Sequence, residues 1–230
     1  MFFSYMRKDR VMEEKEILKL IDHTQLQADA KWEDIVSLCD EAVKYGTATV
    51  CIPPTYLKRV HDKYGDNLKL CTVIGFPLGY SCTASKVVEA QEAIKDGASE
   101  IDTVVNISDV KNGRFDEVRK ELEAIRMACG DKLLKVIIET CYLTEEEKIE
   151  LCKIVTEVKA DYIKTSTGFG SAGATIADIE LFKKHIGPDV KIKAAGGIRT
   201  IEDAHEYAHA GCSRIGSSKV APLIAAKYNL

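Results

Sequence analysis

The sequence holds little that would tie it to a membrane, to nucleic acid or to an oxidising compartment. No apolar run approaches the roughly 18 residues needed to span a bilayer, and the opening MFFSYMRKDR turns charged too early for a secretory signal. Lys and Arg number 32 against 36 Asp and Glu, a formal net charge of -4, and the basic residues are scattered, so no electrostatic footprint for nucleic acid exists. The eight cysteines (Cys39, Cys51, Cys71, Cys82, Cys129, Cys141, Cys152, Cys212) form no CxxC pair and sit in apolar segments, which reads as reduced, buried side chains. These absences imply a cytoplasmic protein with neither nucleic acid nor membrane as partner. Prolines number only five and no Pro/Gly/Ser-rich linker occurs, so residues 1–230 read as a single domain.

What is present is an alternation. Eight short apolar runs are strand candidates: Leu20–Thr24, Thr47–Ile52, Lys69–Gly75, Glu100–Asn106, Leu133–Thr140, Asp161–Thr165, Val190–Ala194 and Ser213–Gly216. Between them run amphipathic segments such as Lys31–Tyr45, Ser85–Asp96, Arg114–Cys129 and Thr144–Lys159. Thr144 and Glu147 have capping-box spacing, and Gly46, Gly97, Gly130 and Gly211 each close a periodic segment where a left-handed residue is needed. Eight βα units in this length predict an α/β fold, a closed (β/α)8 TIM barrel, with an open doubly wound sheet as competitor. Val11–Leu20 leaves room for a short extra N-terminal helix plugging the barrel floor.

Parallel strands of a barrel are buried on both faces, so charges inside them need a reason. Asp102, Lys164 and Lys193 stand out. With period-2 alternation, Ile101, Thr103, Val105, Ile163 and Ile192 face the outer helices, which turns Asp102 and both lysines inward near the carboxyl ends of their strands, where barrel chemistry sits. Lys164 and Lys193 fall on neighbouring strands. Repulsion between two ammonium groups, together with desolvation, would depress an amine pKa and make a lysine nucleophilic. The plainer reading is that each lysine snorkels to solvent or pairs with Asp102 or Glu139.

Glycine-rich turns follow the last strands: the stretch after Lys164 with Gly168, the run Gly196-Gly197-Ile198-Arg199, and Gly216-Ser217-Ser218. Such turns let backbone N–H groups approach a phosphate. Gly168 to Gly173 also fits the dinucleotide pattern GxGxxG, but five βα units precede it, which argues against nicotinamide binding. His205 to His209 fits HExxH, yet belongs to an outer helix with no later histidine to complete a zinc site. His23, His61 and His185 show no interpretable spacing.

At these positions the chain resembles the deoxyribose-phosphate aldolases, (β/α)8 enzymes that work through a lysine Schiff base. The resemblance rests on Asp22-His-Thr24, Val50-Cys-Ile52, Val73 to Gly79, Glu100-Ile-Asp102, Lys135 to Thr140, Lys164 to Phe169, Lys193 to Arg199 and Arg214-Ile-Gly216. It implies a lyase that reversibly cleaves 2-deoxy-D-ribose 5-phosphate to D-glyceraldehyde 3-phosphate and acetaldehyde, with no metal or cofactor. Lys164 would form the Schiff base, while Asp102 and Lys193 would move protons. Gly168, Gly196, Gly197, Arg199, Gly216, Ser217 and Ser218 would hold the phosphate, and Asp22, Thr24, Cys51 and Thr167 would complete the pocket. A homodimer or higher homo-oligomer is also implied. Three departures stand: Lys219 replaces a second serine, Pro53-Pro54 doubles a single proline, and Tyr228 lacks a motif tying it to the tail tyrosine of some members. The residues alone leave open another phosphosugar barrel enzyme, such as a different imine-forming aldolase or an isomerase using Asp102 as base, and a silent sugar-phosphate binder.

Overall fold

A computed structural model describes residues 14–229. Eight strands, β1 (Ile21–Thr24), β2 (Thr49–Ile52), β3 (Leu70–Ile74), β4 (Glu100–Val104), β5 (Leu133–Ile137), β6 (Tyr162–Lys164), β7 (Lys191–Ala195) and β8 (Arg214–Ser217), each pair in parallel with their neighbours. β8 returns to β1 and closes the barrel, with Asp22 opposite Gly216. The open-sheet alternative is thereby excluded. The helices are α1 (Glu14–Leu18), α2 (Trp32–Tyr45), α3 (Leu57–Tyr64), α4 (Thr83–Lys95), α5 (Ile107–Lys111), α6 (Phe115–Cys129), α7 (Glu145–Glu157), α8 (Ile176–His185), α9 (Ile201–Ala210) and α10 (Val220–Tyr228).

Local chemistry sets the boundaries. Thr144 and Glu147 form the expected capping box at the start of α7, and Gly46, Gly97, Gly130 and Gly211 all have positive φ. Two strands stop two or more residues earlier than expected. β4 ends at Val104 because the Asn106 side chain accepts the Asp109 N–H and starts α5. β5 ends at Ile137 because Glu139 turns left-handed, at φ 54, and Thr140–Tyr142 form a 3-10 turn. The extra helix is present as α1, with its expected first residues, 11–13, outside the described ones. It packs against α9 and α10.

The main apolar core lies between the barrel and the helices, built from outward residues such as Val50, Ile101, Val136, Ile163, Ile192 and Ile215 and from helix faces including Leu122, Val155 and Phe182. Six cysteines are buried as expected. Cys82 is exposed and Cys141 half-buried, because they precede α4 and lie in the turn after β5 rather than on apolar faces. No helix among the described residues is long and apolar enough to cross a membrane.

One ion pair is buried in this outer layer. The Lys86 ammonium, on α4, donates to Glu121 of α6 at 2.7 Å and to the Val104 carbonyl at 2.8 Å. Burial pushes the Lys86 pKa down and the Glu121 pKa up, so desolvation outweighs the mutual attraction in both partners. Glu121→Ala, which strands a buried ammonium, is expected to destabilise the fold by about 3–5 kcal/mol. The pair Lys86→Met with Glu121→Leu, which removes both charges, should recover most of that loss. Urea midpoints of the three proteins check both statements.

Candidate active site

Alternation along the strands sends every second side chain into the barrel, and on six of the eight strands at least one of these is charged. From β1 comes Asp22, from β4 Glu100 and Asp102, from β5 Lys135, from β6 Lys164, from β7 Lys193 and from β8 Arg214, all buried. Asp102 is the hub. Its Oδ2 accepts from Lys164 and Lys193, each at 2.7 Å, and its Oδ1 accepts from Lys135 at 2.8 Å and from the Cys71 thiol at 3.2 Å. Below it, Lys135 reaches Glu100 at 2.6 Å, and Arg214 bridges Glu100 and Asp22. Asp22 closes the ring by contacting Lys193 and accepting from Thr49.

Electrostatics follows from this geometry. Burial disfavours an ionised Asp102, but Lys135, Lys164 and Lys193 together hold its carboxyl well below the usual range. Burial also pulls Lys193 down, yet Asp102 and Asp22 outweigh it and raise the ammonium above its ordinary value. For Lys193 the carboxylates standing between the cations thus outweigh the lowering by the neighbouring Lys135 ammonium. Lys164 and Lys193 are both sequestered and both paired with Asp102, so the pairing reading of the sequence holds, with Asp102 rather than Glu139 as the partner.

Above this ionic layer, at the carboxyl ends of the strands, opens a pocket of about 880 Å³. Of the residues expected from the sequence, Lys164, Thr24, Thr167, Gly168, Gly196, Gly197, Arg199, Gly216, Ser217 and Ser218 line it. Lys219 lies on the same rim, while Asp34 and Glu41 of α2 occupy another part of the wall. Asp102, Lys193, Asp22 and Cys51 lie off the pocket wall. Asp22 belongs to the ionic layer, and Cys51 packs with Cys71 and Val73 under Leu26 and Phe76. The neighbouring Cys71 thiol is the main influence lowering the Cys51 thiol pKa. Lys164, 3% exposed, is thus the one member of the layer that touches the pocket.

The Ser217 hydroxyl is already committed. It donates to the Ile198 carbonyl at 2.8 Å and accepts the N–H groups of Lys219 and Val220, tying β8 to the start of α10. Gly173 and Gly196 bring two loops into backbone contact: a Cβ on Gly173 would lie 2.1 Å from the Gly196 carbonyl oxygen. That approach accounts for the last glycine of the GxGxxG pattern without a dinucleotide. His205 and His209 sit on α9 with stacked rings, and the His209 Nδ1 lies 2.7 Å from the His205 carbonyl oxygen. Tyr228 ends α10 beside Lys15, which precedes β1 on the amino side of the barrel, opposite the pocket.

Sequence reasoning missed Lys135, Glu100 and Arg214 as inward charges, although the alternation that singled out Asp102 applies equally to β5, where Leu134 and Val136 face outward around Lys135. Cys51, Cys71 and Asp102 approach within 4.8 Å of one another, a spacing a metal could use. The three ammonium groups on Asp102 make that spot hostile to a further cation.

Residues 16–216 match the model of the DeoC/LacD family aldolases. The chain is 58% identical over 213 residues to the deoxyribose-phosphate aldolase of Clostridium botulinum, covering 93% of this chain and 96% of that one. It is 56% identical over 210 residues to the enzyme of the same name from Clostridioides difficile, covering 91% and 96%. Among solved structures, the tetrameric deoxyribose phosphate aldolase from Aeropyrum pernix superposes with a TM-score of 0.86 at 30% identity, covering 94% of this chain and 93% of that one. With its barrel, its lysine-bearing ionic layer and these similarities taken together, the chain belongs to the DeoC/LacD family of aldolases.

Proposed function

We propose that this chain reversibly cleaves 2-deoxy-D-ribose 5-phosphate to D-glyceraldehyde 3-phosphate and acetaldehyde, through an imine on Lys164. The observation that carries the reading is that Lys164 alone joins the ionic layer to the pocket, its ammonium 2.7 Å from Asp102. Relatives at 58% and 56% identity that carry the name deoxyribose-phosphate aldolase supply the substrate.

In the cleavage direction the neutral Lys164 amine adds to the C1 aldehyde, and loss of water gives a protonated imine. Removal of the C3 hydroxyl proton then breaks the C2–C3 bond. The bonding electrons move into the imine as an enamine, the C3 fragment leaves as D-glyceraldehyde 3-phosphate, and protonation at C2 followed by hydrolysis releases acetaldehyde. Asp102, fully ionised and shared between Lys164 and Lys193, is the base nearest the reacting amine. Asp102 and Lys193 lie beneath the pocket wall, so they exchange protons with substrate through water. Three carboxylates face four cationic groups in this layer (Asp22, Glu100, Asp102 against Lys135, Lys164, Lys193, Arg214). That surplus of positive charge is relieved when one amine is neutral, and imine formation requires a neutral amine.

The phosphate is assigned to Gly168, Gly196, Gly197, Arg199, Gly216, Ser217 and Ser218, with Lys219 adding positive charge on the same rim. Ser217 contributes through its backbone, its hydroxyl being used in the cap. Thr24 and Thr167 face the sugar, and Asp22 and Cys51 support the site from below. A homo-oligomer formed by the 230-residue domain and a cytoplasmic location complete the reading.

Two outcomes are expected. Borohydride reduction in the presence of acetaldehyde should leave a mass increase on Lys164 that is absent in Lys164→Ala, and a folded wild-type protein without that adduct would overturn the imine mechanism. Asp102→Asn should lower kcat by about 10²–10⁴-fold, measured as acetaldehyde release, whereas retention of near-normal kcat would remove Asp102 from the proton path.

A further inference from the structure

One buried carboxylate beside the pocket is not used by the chemistry above. Glu139, 1% exposed, stands just past the end of β5 with its backbone at φ 54 and ψ 67. A side chain larger than glycine rarely holds this conformation, and it persists only where the surroundings fix it. They do so on both sides: the Ile138 N–H donates to the Lys164 carbonyl at 3.1 Å and the Thr140 N–H to the Thr165 carbonyl at 2.9 Å. The strand pairing with β6 therefore resumes across Glu139, and the flipped residue sends its carboxylate toward the loop after Lys164.

There it accepts the Thr167 N–H, at 3.2 Å on Oε1 and 3.3 Å on Oε2, and the Thr167 hydroxyl. With its proton given to Glu139, that hydroxyl accepts the Phe169 N–H at 3.0 Å. Phe169 in turn packs edge-on against Phe76, with ring centroids 5.4 Å apart. The carboxylate is walled in closely enough that a Cβ on Gly170 would lie 3.1 Å from its Oε1. Thr167, Gly168 and Phe169 all line the pocket, whereas Glu139 does not. Apart from a long contact from the Cys141 thiol at 4.0 Å, the bonds of this strained, buried carboxyl group run to the one turn shared by the nucleophile's strand and the pocket wall, and its purpose lies in that turn.

We propose that Glu139 is a positioning residue that fixes the Thr167–Phe169 turn in the shape that receives the phosphorylated substrate. The proposal rests on the aldolase reading above. Strain at φ 54 is what the fold accepts to aim the carboxylate, so substrate binding and fold stability should respond differently to different replacements. Glycine removes both the carboxylate and the strain, alanine removes the carboxylate alone, and glutamine keeps an oxygen that can accept from Thr167.

The test compares Glu139→Ala, Glu139→Gly and Glu139→Gln with the wild-type chain. The alanine and glycine variants should raise KM for 2-deoxyribose 5-phosphate about tenfold or more, while borohydride trapping of acetaldehyde on Lys164 proceeds at close to the wild-type rate. Glu139→Gln should restore most of the lost KM. The glycine variant should melt at a temperature no lower than the alanine variant, and in both the amide hydrogens of Thr167 to Phe169 should exchange faster. That last measurement needs no turnover, so it tests Glu139 even if wild-type protein fails to trap acetaldehyde, a result that would sink the aldolase reading instead. Unchanged KM with a lower melting temperature would reduce Glu139 to a stability residue. Trapping that fails together with kcat would place it in the chemistry. Either result overturns the proposal.

Discussion

Everything in this barrel is arranged around one carboxylate shared by three lysines. Asp102 receives Lys164 and Lys193 on one oxygen and Lys135 on the other, with no solvent exposure of its own. Such a group is costly to bury alone, and each ammonium around it would be costly without it. Together they form a layer that stands only when β4, β5, β6 and β7 are all in place. Closure of the sheet is therefore a condition of the chemistry as well as of the fold. The apolar shell between strands and helices supplies the bulk of the burial, and the ionic interior fixes what that shell encloses.

Much of this was legible from residue order alone. Alternation of apolar and charged positions identified Asp102, Lys164 and Lys193 as inward-facing, and the glycine-rich turns after the late strands located the pocket rim. The parts that stayed hidden share physical causes. Glu100 and Arg214 open their strands, where a charge reads as a solvent-facing start, yet each finds the other inside the barrel. Lys86 occupies a helix whose other charges are solvated, and its burial depends on Glu121, 35 residues away, which no local pattern reveals. Glu139 escaped because sequence gives no sign that a glutamate will adopt a left-handed backbone.

Motifs are informative here only with their surroundings. The glycines of the GxGxxG pattern have separate duties: Gly168 holds a positive φ at the pocket, Gly170 leaves room for Glu139 and Cys141, and Gly173 admits the Gly196 backbone. The two histidines of the HExxH pattern stack on the outer helix layer. Tyr228 is an aromatic near the end of the chain that the fold carries to the opposite face of the barrel from the pocket. In each instance the topology assigns the role that the spacing left open.

The strand register carries a consequence for how such a protein can change over time. Lys164 is aligned with Lys193 and Lys193 with Arg214 across three successive strands, while Asp102 is aligned with Lys135. Because side chains alternate faces, sliding any of these strands by a single residue would point its charge into the apolar helix layer. A closed sheet offers no free edge at which the error could be absorbed. Insertions and deletions in this lineage should therefore collect in the βα and αβ loops, and the strands should keep their lengths even as their outward residues drift.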